Sequence, residues 1–367
     1  MNYVGKWELF SLTFIFIIGN AGLYSLGVDR AKEDAWLAIL LAMFFSYLLV
    51  FIYAKLQSLF PESSLSDIII SLLGKKLGII LIILYVMYFI YIIILNFNLH
   101  IEFIQIYLLQ RSSMVVLFIL LMFNMVYMIL KGFEVMARVS EIVTVLFIIF
   151  LIVIYIMLFF SGAVDFKRLE PVLAGGFKPL WEVAVPELMI FPFGDMVIFL
   201  GLWRMVKSKK SILKFSLLGM TLAGLVLSFS IAVMVAVLGA KLAASINIAN
   251  MALSQMIDVG FIKNTDAVVI IFLLSSGFYK MVLFLYASIS LVTDTFKVRK
   301  SLITILFALL LLILLYAPFT GVPFHHWIAR LDNQTLRKIK YMHVIFQMVI
   351  PIILLLIAWF ENLIKVK

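Results

Sequence analysis

Apolar residues run along this chain in long blocks, and polar residues gather in the short gaps between them. Ten blocks approach or exceed the ~18 residues a helix needs to cross a bilayer. They cover residues 7–28, 36–54, 77–99, 114–130, 142–162, 183–203, 212–238, 267–292, 301–320 and 342–364. The pattern predicts an all-α integral membrane protein with ten transmembrane helices. The gaps carry the punctuation. Pro61-Glu62-Ser63-Ser64 and Gly74-Lys75-Lys76 bracket a short amphipathic stretch, and the loop from Lys167 to Trp181 holds Pro171, Gly175, Gly176 and Pro179. Residues 244–262 and 320–341, the latter with Trp327, read as half-buried helices lying along the interface.

The connector at 164–182 divides the chain into five spans within 1–163 and five within 183–367, all in one membrane domain. Five is odd, so the second set enters the bilayer from the opposite side. An inverted repeat follows if the two halves share a fold. The first span of each half is flawed in the same way. Gly19-Asn20-Ala21-Gly22 interrupts the first span, and Phe191-Pro192-Phe193-Gly194-Asp195 interrupts the sixth. Helix breakers at membrane depth free backbone groups that must be satisfied some other way. Paired breaks of this kind point to a solute site near the midplane.

Composition agrees with the pattern. Hydrophobic residues make up 65% of the chain and charged residues 13%. The formal charge of +10 suggests a polyanion partner, but the Lys and Arg residues sit in loops between spans and no aromatic-interleaved basic patch supports nucleic-acid binding. With the N-terminus inside, cytoplasmic segments hold about 16 of them and external segments about 12, which predicts cytoplasmic N- and C-termini. The first span lacks a small-residue cleavage site and reads as retained rather than as a removable signal. There are no cysteines, so disulfides, thiolate metal sites and cysteine nucleophiles are excluded. The neighbouring His325 and His326 lack the helical spacing and carboxylate partner of a metal site. No Walker motif, Ser-His-Asp arrangement or zinc pattern is present. The sequence predicts no enzyme, no cofactor and no metal.

Two charges lie deep in the apolar blocks. Asp195 falls within the sixth span beside Pro192 and Gly194, with Pro186 just upstream. Lys280 falls midway through the eighth, in Ser275-Ser276-Gly277-Phe278-Tyr279-Lys280. A carboxylate at that depth faces a cavity or a partner. A buried ammonium pairs with a carboxylate or gives up its proton. Lys280, with Ser276 one turn earlier, is therefore a candidate cation substitute or proton-coupling group. The alternative is a structural ion pair with Asp195 or Glu187. At the first break, small residues serve either close helix packing or a ligand that approaches the backbone and the positive end of a half-helix. Tyr85, Tyr88 and Tyr91 recur at helical spacing; Tyr88 is the candidate for the cavity, and packing explains such a stripe equally. Asn96, Asn98, His100 and Glu102 read as the solvated end of the third span.

Taken together these residues resemble the B subunit of spore nutrient-germinant receptors, a branch of the amino acid–polyamine–organocation permease superfamily. The resemblance rests on Ile18-Gly19-Asn20-Ala21-Gly22, Lys131-Gly132-Phe133-Glu134-Val135-Met136-Ala137-Arg138, Arg168-Leu169-Glu170-Pro171-Val172-Leu173, Phe191-Pro192-Phe193-Gly194-Asp195 and Phe278-Tyr279-Lys280. Their order and spacing extend over nearly the whole chain. Two positions depart from the family pattern: Asp195 stands where Glu is frequent, and Asn20 replaces the usual Gly-Thr pairing. The resemblance implies a five-plus-five inverted repeat with unwound first and sixth helices. It implies a nutrient pocket among spans one, three, six and eight, lined by Gly19, Asn20, Ala21, Gly22, Tyr88, Phe191, Pro192, Phe193, Gly194 and Asp195. It also implies a larger A subunit and a lipoprotein C subunit as partners, in the inner membrane of a spore. A sensor of a small nutrient, an amino acid by preference, is then the expected function. A proton-coupled amino acid transporter and, more remotely, a channel for small solutes remain open.

Overall fold

The computed structural model describes residues 3–246, 252–253, 266–316 and 333–365. These residues form an α-helical bundle. Its principal helices are α1 (Lys6–Ile18), α2 (Ala35–Leu59), α3 (Leu65–Tyr107), α4 (Met114–Lys131), α5 (Phe133–Phe160), α6 (Phe177–Glu182), α7 (Ile212–Leu238), α8 (Asp266–Phe296), α9 (Lys300–Tyr316), α10 (Asn333–Val344) and α11 (Ile350–Lys365). Among the described residues, seven stretches are long and apolar enough to cross a membrane: Val28–Leu59, Leu65–Tyr107, Met114–Lys131, Phe133–Phe160, Lys209–Leu238, Val269–Phe296 and Lys338–Glu361. Three further spans were expected. The first and sixth are divided by their breaks, and the ninth is the 17-residue α9. The interfacial helix expected at 244–262 falls outside the described residues except for a short helix, Ala240–Ser245, and Leu253 with its neighbour Ala252. His325, His326 and Trp327 also lie outside them.

Local chemistry accounts for the boundaries. Ser64 opens α3 with a reciprocal cap: the Asp67 amide donates to Ser64 Oγ at 3.1 Å, and the Ser64 amide donates to Asp67 Oδ2 at 3.1 Å. Such caps replace the missing partners of the first turn. The amphipathic stretch ends at a bend in α3 at Gly74, as the sequence pattern requires. In the sixth span the backbone leaves helical geometry at Val185 (φ −126, ψ 121) and Phe191 (φ −129, ψ 120). Each precedes a proline, and the proline ring pushes its predecessor out of the helical region. The remainder of the segment winds as wide turns over Val183–Phe193 and tight turns over Gly194–Phe199.

The layers follow from these lengths. α1 packs against α5, α7 and α8; α2 packs against α7 and the sixth segment; α8 lies along α3. The Val4 amide donates to the Met205 carbonyl at 2.8 Å, and the Lys207 amide donates to the Val4 carbonyl at 2.9 Å. α1 starts at this end of the molecule and the sixth segment arrives there. The two broken segments therefore run antiparallel, and their breaks meet in the interior.

Gln57, 1% exposed, fastens the same end. Its Oε1 accepts the Gly201 amide at 2.6 Å, while its Nε2 donates to the Phe60 and Ser63 carbonyls at 2.9 and 3.1 Å. A buried polar group without a partner costs about 1–3 kcal/mol. Gln57→Leu is expected to destabilise the protein by at least about 2 kcal/mol, read as a fall in the thermal midpoint of the detergent-solubilised chain. An unchanged midpoint would remove Gln57 from the stabilising contacts.

Candidate functional site

α1 stops because Gly19 turns to φ 22, ψ −128, outside the helical region. A tight turn, Gly19–Leu23, follows. A side chain at position 19 would press on the stem of Lys280, since a Cβ built there lies 2.8 Å from Lys280 Cδ. Only glycine combines this backbone angle with that approach. The carbonyl freed at Gly19 accepts the Ser276 hydroxyl at 3.0 Å. Thus α8 supplies both the polar group that caps the first break and the lysine that lies across it.

Lys280 Nζ lies 2.6 Å from Asp195 Oδ2. The side chains are 0% and 3% exposed. Their mutual attraction offsets a desolvation cost of several kcal/mol per ion. Two aromatic faces add to it, with the ammonium 4.5 Å from the ring centre of Phe191 and 5.1 Å from that of Phe16. Cations are attracted to such faces, more so when water is excluded. Of the two carboxylates offered by the sequence, Asp195 is the partner. Glu187 instead pairs with Arg30 and, at 3.6 Å, with Lys340.

The other Asp195 oxygen is held from the turn between α10 and α11. Gln347 Nε2 donates to Asp195 Oδ1 at 2.8 Å and to the Tyr88 hydroxyl oxygen at 2.8 Å. Tyr88 then has its own proton left for His343 Nδ1, 2.9 Å away. The Tyr88 ring stacks on Phe346 with centres 4.5 Å apart. Between α10 and α11 the chain widens into a π turn, Ile345–Val349. Wide turns of this kind collect at functional sites. Carbonyls in this turn take tyrosine hydroxyls: Tyr85 donates to Phe346 O at 2.9 Å and Tyr53 donates to Gln347 O. Gly194 leaves room for the Gln347 amide, which a side chain at that position would strike.

A second polar cluster borders the first break. Asn20 Nδ2 donates to Asn96 Oδ1, and Asn96 Nδ2 donates to Ile92 O at 2.6 Å. His100 Nε2 lies 3.0 Å from Leu274 O. Asn96, Asn98 and His100 are 7%, 5% and 1% exposed, which corrects their reading as a solvated helix end. α3 continues to Tyr107, and carbonyls of α3 and α8 together with Asn20 take up the two asparagine amides and His100 Nε2. Among the described residues, Asn20 Oδ1, His100 Nδ1 and Gln347 Oε1 are buried without a hydrogen-bond partner.

Of the candidates read from the sequence, Gly19, Asn20, Tyr88, Phe191, Gly194, Asp195, Ser276 and Lys280 converge on one interior region. Ala21, Pro192 and Phe193 are buried in the two breaks themselves, and Gly22 is half-buried facing Leu273. Gln347, His343 and Tyr53 join them without having been anticipated. The available signal for Gln347 was a lone amide in the apolar run Val344-Ile345-Phe346-Gln347-Met348-Val349. Among the described residues no cluster of His, Asp and Glu is arranged to hold a metal ion.

The sequence profile described as "Spore germination protein" matches residues 3–321. This chain belongs to the spore germination protein family. The family member is 28% identical over 357 residues to spore germination protein KB of Bacillus subtilis (strain 168), which spans 96% of this chain and 93% of that one. It is 23% identical over 209 residues to spore germination protein YndE of the same organism, covering 57% and 56% of the two chains. In three dimensions it resembles Mhp1, a nucleobase-cation-symport-1 family transporter in a closed conformation with bromovinylhydantoin bound. The TM-score is 0.68 at 14% identity, over 88% of this chain and 73% of that one. At that identity the likeness speaks for the fold. This germination protein is an integral membrane protein of a permease family, with a transporter-type fold.

Tyr88→Phe keeps the ring stack and removes the hydroxyl from Gln347 and His343. The expected loss is about 1–3 kcal/mol, and it should not add to that of Gln347→Leu because the two share one network. A double-mutant cycle on thermal midpoints measures this. Full additivity would mean that the network is not coupled.

Proposed function

We propose that this chain is the membrane subunit of a spore germinant receptor. It binds a small nutrient, an amino acid, where Gly19–Gly22 and Phe191–Asp195 meet, and it signals through A and C subunits to start germination. It does so in the spore inner membrane as a ten-span, five-plus-five inverted repeat, made of residues 1–163 and 183–367, with both termini cytoplasmic. The observation that carries the reading is the sealed Lys280–Asp195 pair, which ties α8 to the interrupted sixth segment. An amino acid is a zwitterion. Its carboxylate suits Lys280 beside the first break, and its ammonium suits Asp195 and the orphaned oxygens of Asn20 and Gln347. Such a guest exchanges one internal ion pair for two external ones and frees the sixth segment from α8. A ligand shifts a two-state protein only by its preference for one state, and this exchange supplies the preference.

Asp195→Asn and Lys280→Met are each expected to abolish the nutrient response. Each single change leaves a lone buried charge or an orphaned partner, which costs about 3–5 kcal/mol when the charge stays. The double variant D195N/K280M leaves no uncompensated charge and is the decisive one. It should reach the spore membrane at wild-type level, by immunoblot, and fail to respond to nutrient. A normal response in the double variant would retire the site.

The likeness to Mhp1 favours one other reading, a proton-coupled amino acid transporter using the same pocket. The purified chain in liposomes is expected to show no uptake of labelled amino acids under a pH gradient. Robust uptake without partner subunits would replace the sensor by a carrier.

A further inference from the structure

Away from the interior, the outer surface between the end of α2 and the start of α7 holds a groove of about 290 Å³. Phe51, Ala54, Ile212 and Leu213 form its apolar wall, and Lys55, Lys209 and Lys210 form one rim. Among the described residues the lining contains no Asp or Glu. Phe51 is 52% exposed, and Lys55 and Lys210 stand in the open. Lys207 and Lys214, also exposed, lie near these lysines in sequence but outside the lining. Lys209 Nζ lies 3.3 Å from Glu62 and donates to the Arg204 carbonyl, so its charge is partly engaged while those of Lys55 and Lys210 are not.

We propose that this groove binds one anionic phospholipid, with an acyl chain along the Phe51–Leu213 wall and the phosphate against Lys55, Lys209 and Lys210. The inference rests on the match of two gradients. The apolar wall belongs to helices that cross the hydrocarbon, and the lysines begin where those helices end. An occupant must therefore be greasy at one end and anionic at the other. A soluble anion leaves the wall bare, and a neutral lipid leaves the rim without a counter-charge. Lysines near a membrane surface attract anionic headgroups by about five-fold in affinity each. The site is independent of the nutrient pocket. Gln57 lines the groove and holds the Gly201 amide at the end of the sixth segment, away from the two breaks.

The full chain, purified in detergent, is titrated with phosphatidylglycerol or phosphatidylcholine and read by native mass spectrometry. One phosphatidylglycerol should be retained in preference to phosphatidylcholine. K55Q/K210Q, which alters two exposed side chains, should weaken retention by about twenty-five-fold. Ala54→Phe, which fills the groove and leaves every charge in place, should abolish it. Lys178→Gln, on an 86% exposed side chain at the opposite end of the sixth segment, should change nothing. Equal retention of both lipids would overturn the proposal. So would full retention in Ala54→Phe, or an equal loss in Lys178→Gln, since either means diffuse attraction to a basic surface.

Discussion

A lysine and an aspartate, both sealed from water in the middle of an apolar bundle, set the terms for the rest of this molecule. Ions in such surroundings are tolerated when they are paired with an opposite charge and hydrogen-bonded. Asp195 meets this demand with Lys280 on one oxygen and Gln347 on the other. Gln347 must then be held, and the π turn that carries it opens carbonyls that Tyr53 and Tyr85 close. On the other side, Gly19 must lack a side chain so that the lysine stem can cross the end of α1. The two interruptions and the wide turn belong to one arrangement. Each is a departure from helix that a neighbouring span makes good.

Much of this was legible in the chain. Period and length gave the long spans. Pro186 and Pro192 announced where the sixth segment leaves helical geometry, because a proline constrains the residue before it wherever the rest of the fold goes. Asp195 and Lys280 stood out because ionised groups are rare in apolar blocks, and of the two acids on offer the one at the same depth proved to be the partner. Asn96, Asn98 and His100 were misread for a physical reason. A polar residue near the end of an apolar run is satisfied equally well by water or by a neighbouring helix, and hydropathy cannot tell these apart. Asn96 meets Asn20 in the first break and His100 meets Leu274 of α8, both far along the chain, while Asn98 bonds a carbonyl of its own helix.

Gln347 and His343 illustrate another limit. Their meaning depends on Tyr88, which precedes Gln347 by 259 positions. A single glutamine in a span is unremarkable until the turn around it widens and a carboxylate appears beside it. The backbone widening has no short motif of its own, whereas glycine and proline mark the other two departures directly. Membership of the spore germination protein family and the permease-type fold give the arrangement its setting. The residue-level chemistry comes from the contacts themselves.

One property of the interior cation bears on endurance. Lys280 is covalently part of the chain, so the group paired with Asp195 cannot diffuse away or be displaced by other salts. A cavity furnished with a dissolved ion is ready only while something keeps that ion supplied. A carboxylate whose counter-ion is tethered, as Asp195 has in Lys280, needs no such supply.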